Sequence, residues 1–204
     1  IHPCIAMGYY QAPLDCAERL TQTLSGDYSV FFNQSGSEAV ETSIKLARYV
    51  SKKQTIIAFR GGFHGRTYGA LSLTSTKEKY WQGYGKLLAD ITFFDYPNLY
   101  RCPWGKTTKT DSIKTACLET IKRLKKTTGV AAIIIEPIQG EGGYIPAPIE
   151  FLETLYDYCS KHGILFIVDE IQTGIGRTGK WFAFQHSPRI RPDIIISAKG
   201  LASG

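Results

Sequence analysis

No run of apolar residues in the sequence is long enough to cross a bilayer. The opening residues, Ile1, His2, Pro3 and Cys4, lack the basic-then-apolar form of a signal peptide. There is no internal repeat and no low-complexity linker. The five cysteines, Cys4, Cys16, Cys102, Cys117 and Cys159, form no CxxC pair and show no metal-ligand spacing. An odd number of scattered thiols points to free cysteines in a reducing compartment and away from a disulfide scaffold. A strong excess of one charge is also missing, since 24 basic and 18 acidic residues leave a balance of +6. The basic residues gather once, from Lys106 to Lys126, and alternate there with threonine and apolar residues. That is the pattern of a solvated helix face, so no nucleic-acid partner is expected. The chain reads as soluble, with no membrane partner.

What is present is enough for a core: 204 residues, 43% of them hydrophobic and 12% aromatic. Short apolar runs alternate with amphipathic segments, the α/β signature. Residues 14–25 read as a helix, 28–32 as a short strand, and Val40, Ile44, Ala47 and Val50 recur at helical spacing. Strands are expected at 55–59, 91–94, 130–135, 164–168 and 193–197. The run 130–135 is apolar throughout, as in a strand buried on both faces. Residues 98–110 read as a loop, and 111–125 as a helix capped by Asp111. A further helix over 149–162 is stopped by Gly163.

Each strand leads into a polar or glycine-rich turn: Asn33–Ser37, Gly61–His64, Glu136-Pro137, Asp169-Glu170 and Ala198-Lys199. In an open α/β sheet, ligands bind beyond the carboxyl ends of the strands, so these residues should converge at one edge. Ser35-Gly36-Ser37 opens a helix whose free amides suit a phosphate, although the same residues also serve as an ordinary cap. Phe63 suits stacking on an aromatic ligand, Arg66 a carboxylate, and His64 either stacking or a structural hydrogen bond. Asp169, just past a buried strand, suits a buried cation such as a protonated ring nitrogen, or a local cap. Lys199, at the end of another strand, should lose hydration and become a Schiff-base candidate; a snorkelling lysine is the ordinary alternative.

Four ordered blocks then carry a resemblance: Ser35-Gly36-Ser37-Glu38-Ala39, Phe63-His64-Gly65-Arg66-Thr67, Glu136-Pro137-Ile138-Gln139-Gly140-Glu141-Gly142-Gly143, and Asp169-Glu170-Ile171-Gln172-Thr173-Gly174 with Gly176-Arg177-Thr178-Gly179. With Lys199 following them, the chain resembles the class-III aminotransferases of the fold-type-I pyridoxal-phosphate enzymes. The resemblance implies an α/β fold with a mostly parallel sheet and helices on both faces, residues 1–204 being part of the cofactor-binding large domain. It implies pyridoxal 5′-phosphate as cofactor, bonded to Lys199, which also shuttles the proton. Asp169 would pair with the ring nitrogen, Gly36 and Ser37 hold the phosphate, Phe63 and Ile171 cover the two ring faces, and Gln172 meet the 3′-oxygen. Arg66 and Glu141 would lie on the substrate side, Arg66 for a carboxylate and Glu141 as a gate between amino donors, with Glu136 in support.

Gln34 stands where many such enzymes have Asn. Members of the family are about twice as long and act as homodimers, so the chain reads as a fragment. The Gly-Glu-Gly-Gly-Tyr-Ile-Pro block and Tyr100-Arg101-Cys102-Pro103 look most like 4-aminobutyrate aminotransferases, implying transfer of an ω-amino group to a 2-oxo acid such as 2-oxoglutarate. Acetylornithine or ornithine transamination, amino-acid racemisation and a non-catalytic remnant stand as alternatives. Cytoplasm is the expected location, or mitochondrion if a presequence preceded Ile1.

Overall fold

The structure, a computed structural model, describes residues 10–105 and 108–202. Cys4 and Lys106 of the sequence reading lie outside the described residues. Two compact units divide the chain, Ile1–Phe32 and Asn33–Gly204. The first holds helix α1, Gln11–Gln22. It begins three residues earlier than the sequence suggested, because Pro13 falls in the first turn, where a missing N–H costs nothing. The strand expected over 28–32 does not form: a strand needs a ladder partner, and the sheets of the described residues contain none of these positions.

In the second unit, α2 (Gly36–Ser51) starts at Ser35, whose hydroxyl accepts from the Glu38 N–H at 3.2 Å. Strand β1 (Thr55–Phe59) follows, then α3 (Tyr68–Ser72), β2 (Ile91–Phe94), α4 (Lys109–Leu124) and β3 (Val130–Ile135). Next come the two-stranded hairpin β4 (Ile138–Gln139) and β5 (Ile145–Pro146), helix α5 (Ile149–His162), β6 (Leu165–Asp169) and β7 (Ile194–Ile196). The main sheet runs in the order β2-β1-β3-β6-β7 with every pair parallel. Its five strands are those expected, two of them shifted or shortened at the ends. Helix α4 is capped by Thr108, not Asp111. The Thr108 hydroxyl accepts from the Asp111 N–H at 3.1 Å and donates to the Asp111 carboxylate at 2.6 Å, which places Asp111 in the first turn.

On one face of the sheet, Val40, Ile44 and Ala47 of α2 pack with Ile56, Ala58, Ile134, Ile167 and Ile196. On the other, Phe151 of α5 meets Phe59 edge-on at 5.9 Å, and Tyr156 meets Phe166 at 6.1 Å. β3 is buried along its whole length, as its unbroken apolar run requires. Val50, which recurs with Val40, Ile44 and Ala47 at helical spacing, is 57% exposed. At about 100° per residue it falls on the rim of the stripe, where Ser43 is buried in its place. Among the described residues, no helix is long and apolar enough to cross a membrane.

Gly163 ends α5 with φ 60°, and a Cβ placed there would meet no atom within 4 Å. Its replacement therefore isolates backbone strain. Gly163→Ala should lower stability by about 1 kcal/mol, and Gly163→Asn by less, in chemical denaturation of the full-length protein.

Candidate active site

All five main strands are parallel, so their carboxyl ends share one edge, and the expected residues are found there. The start of α2 is pressed against the turn after β6. A Cβ on Gly36 would come 2.8 Å from Ile171 Cδ1 and 3.4 Å from the Ala198 methyl. Only glycine lets the helix start sit this close to the ends of β6 and β7. The Ser37 hydroxyl, one residue on, accepts from the Arg66 N–H at 3.4 Å and lies against Gly65, whose φ of 136° suits glycine. The phosphate-type turn and the Phe63–Arg66 turn are thus joined at Ser37.

The buried centre is a pair that the sequence left open. His64 Nδ1 lies 2.7 Å from Asp169 Oδ2, with both side chains almost wholly buried. The other Asp169 oxygen accepts from the Ile171 N–H at 3.1 Å. Burial opposes a charge on His64, but the Asp169 hydrogen bond and the negative charges of Asp169 and Glu136 outweigh it, so the imidazole pKa ends above its ordinary 6.5. Glu136, at the end of β3, accepts from the Phe63 N–H at 2.8 Å and from the Gly140 N–H at 3.2 Å. Burial pushes its carboxyl up to about 7, with His64 and the two N–H donors pulling the other way and Asp169 reinforcing the rise.

Lys199 reaches the same edge, with Nζ 2.6 Å from Gln172 Oε1. Gln172 in turn packs on Gly140, where a Cβ would lie 2.8 Å from its amide carbon. The burial expected of this lysine is not met. Lys199 is exposed, opens the 3-10 turn Lys199–Ala202 and has φ 45°. β7 stops at Ile196, so Ser197 and Ala198, both half-buried, carry the chain out of the core before the lysine.

Phe63 is half-buried and meets Tyr80 edge-on, 5.4 Å between ring centres. Glu141 pairs with Lys77 at 2.9 Å and accepts from the Tyr80 hydroxyl at 3.4 Å. The Lys77 hydrogen bond and charge hold its carboxyl below the ordinary range. Arg66 is exposed at the margin. Gly36, Ser37, Phe63, Asp169, Ile171, Gln172 and Lys199 are therefore brought to one edge, with Arg66 and Glu141 at its rim.

Three contributors went unread in the sequence, Lys77, Tyr80 and Tyr96, and Glu170 was read only as part of a turn. Tyr96 is buried and donates to the Glu136 carbonyl at 2.9 Å. Glu170 is fully buried; its carboxylate takes the Thr173 hydroxyl and, at 2.9 Å, the Phe184 N–H, closing the loop after β6. A carboxylate directly behind a buried strand was the only available signal for Glu170, and Asp169 had absorbed it.

The aminotransferase class-III family profile matches residues 1–204. The chain is 38% identical over 209 residues to a leucine/methionine racemase of Thermococcus litoralis, covering 100% of the chain and 46% of that protein. It is 46% identical over 197 residues to an acetylornithine aminotransferase of Lactococcus lactis, covering 96% and 46%. With a 4-aminobutyrate aminotransferase of Mycobacterium leprae it shares 40% identity over 218 residues, covering 100% and 46%. The structure superposes on the omega transaminase of Pseudomonas jessenii, solved in complex with PMP, with a TM-score of 0.89 and 28% identity, covering 99% of this chain and 46% of that one. The chain spans about half the length of the curated relatives it matches.

The buried pair makes a pH prediction whose sign is fixed. Glu136 and His64 both bind their protons more tightly in the folded state, so their contribution to stability is complete below their ordinary values. It is lost as pH rises through the folded ones. Calorimetry of the cofactor-free, full-length protein should show the unfolding midpoint falling as pH rises from 4.5 through about 7, the fall continuing above 6.5 as His64 loses its proton, with a shallower fall in Glu136→Gln.

Proposed function

The chain belongs to the class-III aminotransferases, and from that premise we propose that the full-length protein is a pyridoxal-phosphate-dependent ω-aminotransferase. It moves an amino group from a 4-aminobutyrate-like donor to a 2-oxo acid such as 2-oxoglutarate, and acts as a homodimer. The observation that carries this reading is the meeting at one sheet edge of a buried carboxylate, Asp169, with a lysine, Lys199, across the Ile171-Gln172 turn.

The residues present fit pyridoxal phosphate. Gly36 and Ser37 stand in the first turn of α2, where backbone amides lack intrahelical acceptors, and would hold the phosphate. Phe63 and Ile171 would cover the ring faces, and Gln172 would hydrogen-bond the 3′-oxygen. Asp169, buried and already oriented by His64 and the Ile171 N–H, would pair with the ring nitrogen. When bound, the cofactor supplies an aldehyde that carries the amino group and a ring that accepts the electron pair left as a substrate C–H bond breaks.

This chain's own groups do the rest. Lys199 Nζ would anchor the cofactor and, once released, would take and hand back the proton of the reacting substrate carbon. Asp169 would favour a proton on the ring nitrogen, since a carboxylate beside a buried cation favours the charged form. Arg66 takes a substrate carboxylate through two parallel hydrogen bonds. Glu141 is held only by a surface ion pair with Lys77, which is cheap to break, and this suits a group that turns between amino donors. Racemisation is the second reading, supported by the similarity along the whole chain to the Thermococcus litoralis racemase. It differs in that a proton would return to the other face of the same carbon, with no amino group transferred.

The test is a set of assays on the full-length protein with 4-aminobutyrate, N-acetylornithine and L-leucine as donors and 2-oxoglutarate as acceptor. We expect turnover with 4-aminobutyrate, falling by on the order of 10²–10⁴ or more in Lys199→Ala. Loss of optical activity from L-leucine without amino transfer would establish the racemase instead. Unchanged turnover in Lys199→Ala would refute the mechanism.

A further inference from the structure

Glu136 occupies an unusual position among the acids of the sheet edge. Glu170, also buried, is engaged by Thr173 and the Phe184 N–H and serves its own loop. Glu136 instead accepts from two separate turns, one oxygen from the Phe63 N–H and the other from the Gly140 N–H. The first turn carries Phe63, and the second carries Glu141 and packs against Gln172. Tyr96 fixes the same residue from behind by donating to its backbone carbonyl. The carboxylate also faces the imidazole: a Cβ on Gly62 would lie 3.2 Å from His64 Nε2 and 3.6 Å from Glu136 Oε1, so both atoms border the space that Gly62 leaves open. His64 thus has Asp169 on its Nδ1 side and Glu136 beyond its Nε2 side.

We propose that Glu136 is a positioning residue of this site, locking the Phe63 and Gly140 turns to each other and holding His64 in the protonated form that orients Asp169. The inference rests on the reading of Asp169 as the partner of the cofactor ring nitrogen, but concerns groups of this chain alone. Asp169 and Glu136 are the ionisable groups that face His64, and Glu136 is faced by His64, Asp169 and Tyr96. An imidazolium set between two carboxylates makes a charge-assisted hydrogen bond to Asp169, shorter and stronger than a neutral imidazole would make. The raised proton affinity of His64 agrees with this arrangement, whereas that of Glu136 comes first from its burial and is opposed by His64. Without the Glu136 charge, His64 becomes neutral at a lower pH and Asp169 loses its cationic support.

The experiment is nuclear magnetic resonance of the full-length, cofactor-free protein with labelled histidine rings and glutamate carboxyls, titrated through neutral pH. The wild-type His64 ring should titrate above the ordinary histidine range, and in Glu136→Gln its midpoint should fall by about one pH unit, roughly tenfold in proton affinity. A Glu136 that only braced the turns would lower the unfolding midpoint when replaced and leave His64 where it was; that result overturns the proposal. If the variant does not fold, the wild type decides alone. Coupled groups must show linked inflections in the Glu136 carboxyl and His64 ring signals, and two independent single-step curves contradict the inference. Neither readout requires transamination, so the outcome stands apart from the substrate assays.

Discussion

The site depends on a carboxylate placed where water cannot reach it. Asp169 ends β6 at 3% exposure, and an ion so buried persists only if its oxygens are matched by donors. Both are matched, one by His64 and the other by the Ile171 N–H, and each partner comes from a turn that also carries a site residue. The first bond ties the turn after β1 to the end of β6; the second folds the β6 turn back so that Ile171 lies against Gly36. A single buried charge thereby sets the spacing between the Phe63 turn and the start of α2. Removing one partner of such a pair costs more than the bond itself, because the remaining charge is stranded.

The same logic extends outward in decreasing order of burial. Glu136 is nearly buried and brackets the pair from the far side of His64, while Glu170 closes the loop behind β6. Lys199, Gln172, Glu141, Lys77 and Arg66 lie at the accessible rim. Groups engaged by several fixed donors are inside, and the lysine and the surface ion pair are outside. That division suits the proposed site, in which a flat ring would be held rigidly while substrates change.

Much of this was legible in the sequence because each layer leaves a local mark. The unbroken apolar run 130–135 requires a strand buried on both faces, and β3 is one. Ser35-Gly36-Ser37 marks a helix start, and Gly163 a helix end, through backbone chemistry that acts over a few residues. Parallel strands then bring the polar turns together without further information. What could not be read depends on contacts far apart in the chain. Nothing near His64 reveals that its partner is Asp169, 105 residues away, or that Glu136 reaches Phe63 across 73. The strand expected over 28–32 failed for a related reason, since a short apolar run suggests a strand but a ladder needs a neighbour. Lys199 was expected to be buried because it follows an apolar run, yet two half-buried residues intervene.

The central claim, that this edge holds pyridoxal phosphate with Lys199 as its covalent anchor, is tested most directly by trapping. The full-length protein, incubated with pyridoxal phosphate, is reduced with borohydride, digested and mapped by mass spectrometry. The account predicts one stable adduct, on the peptide containing Lys199. No adduct, or an adduct spread over exposed lysines such as Lys77 and Lys122 with Lys199 unmodified, would contradict it.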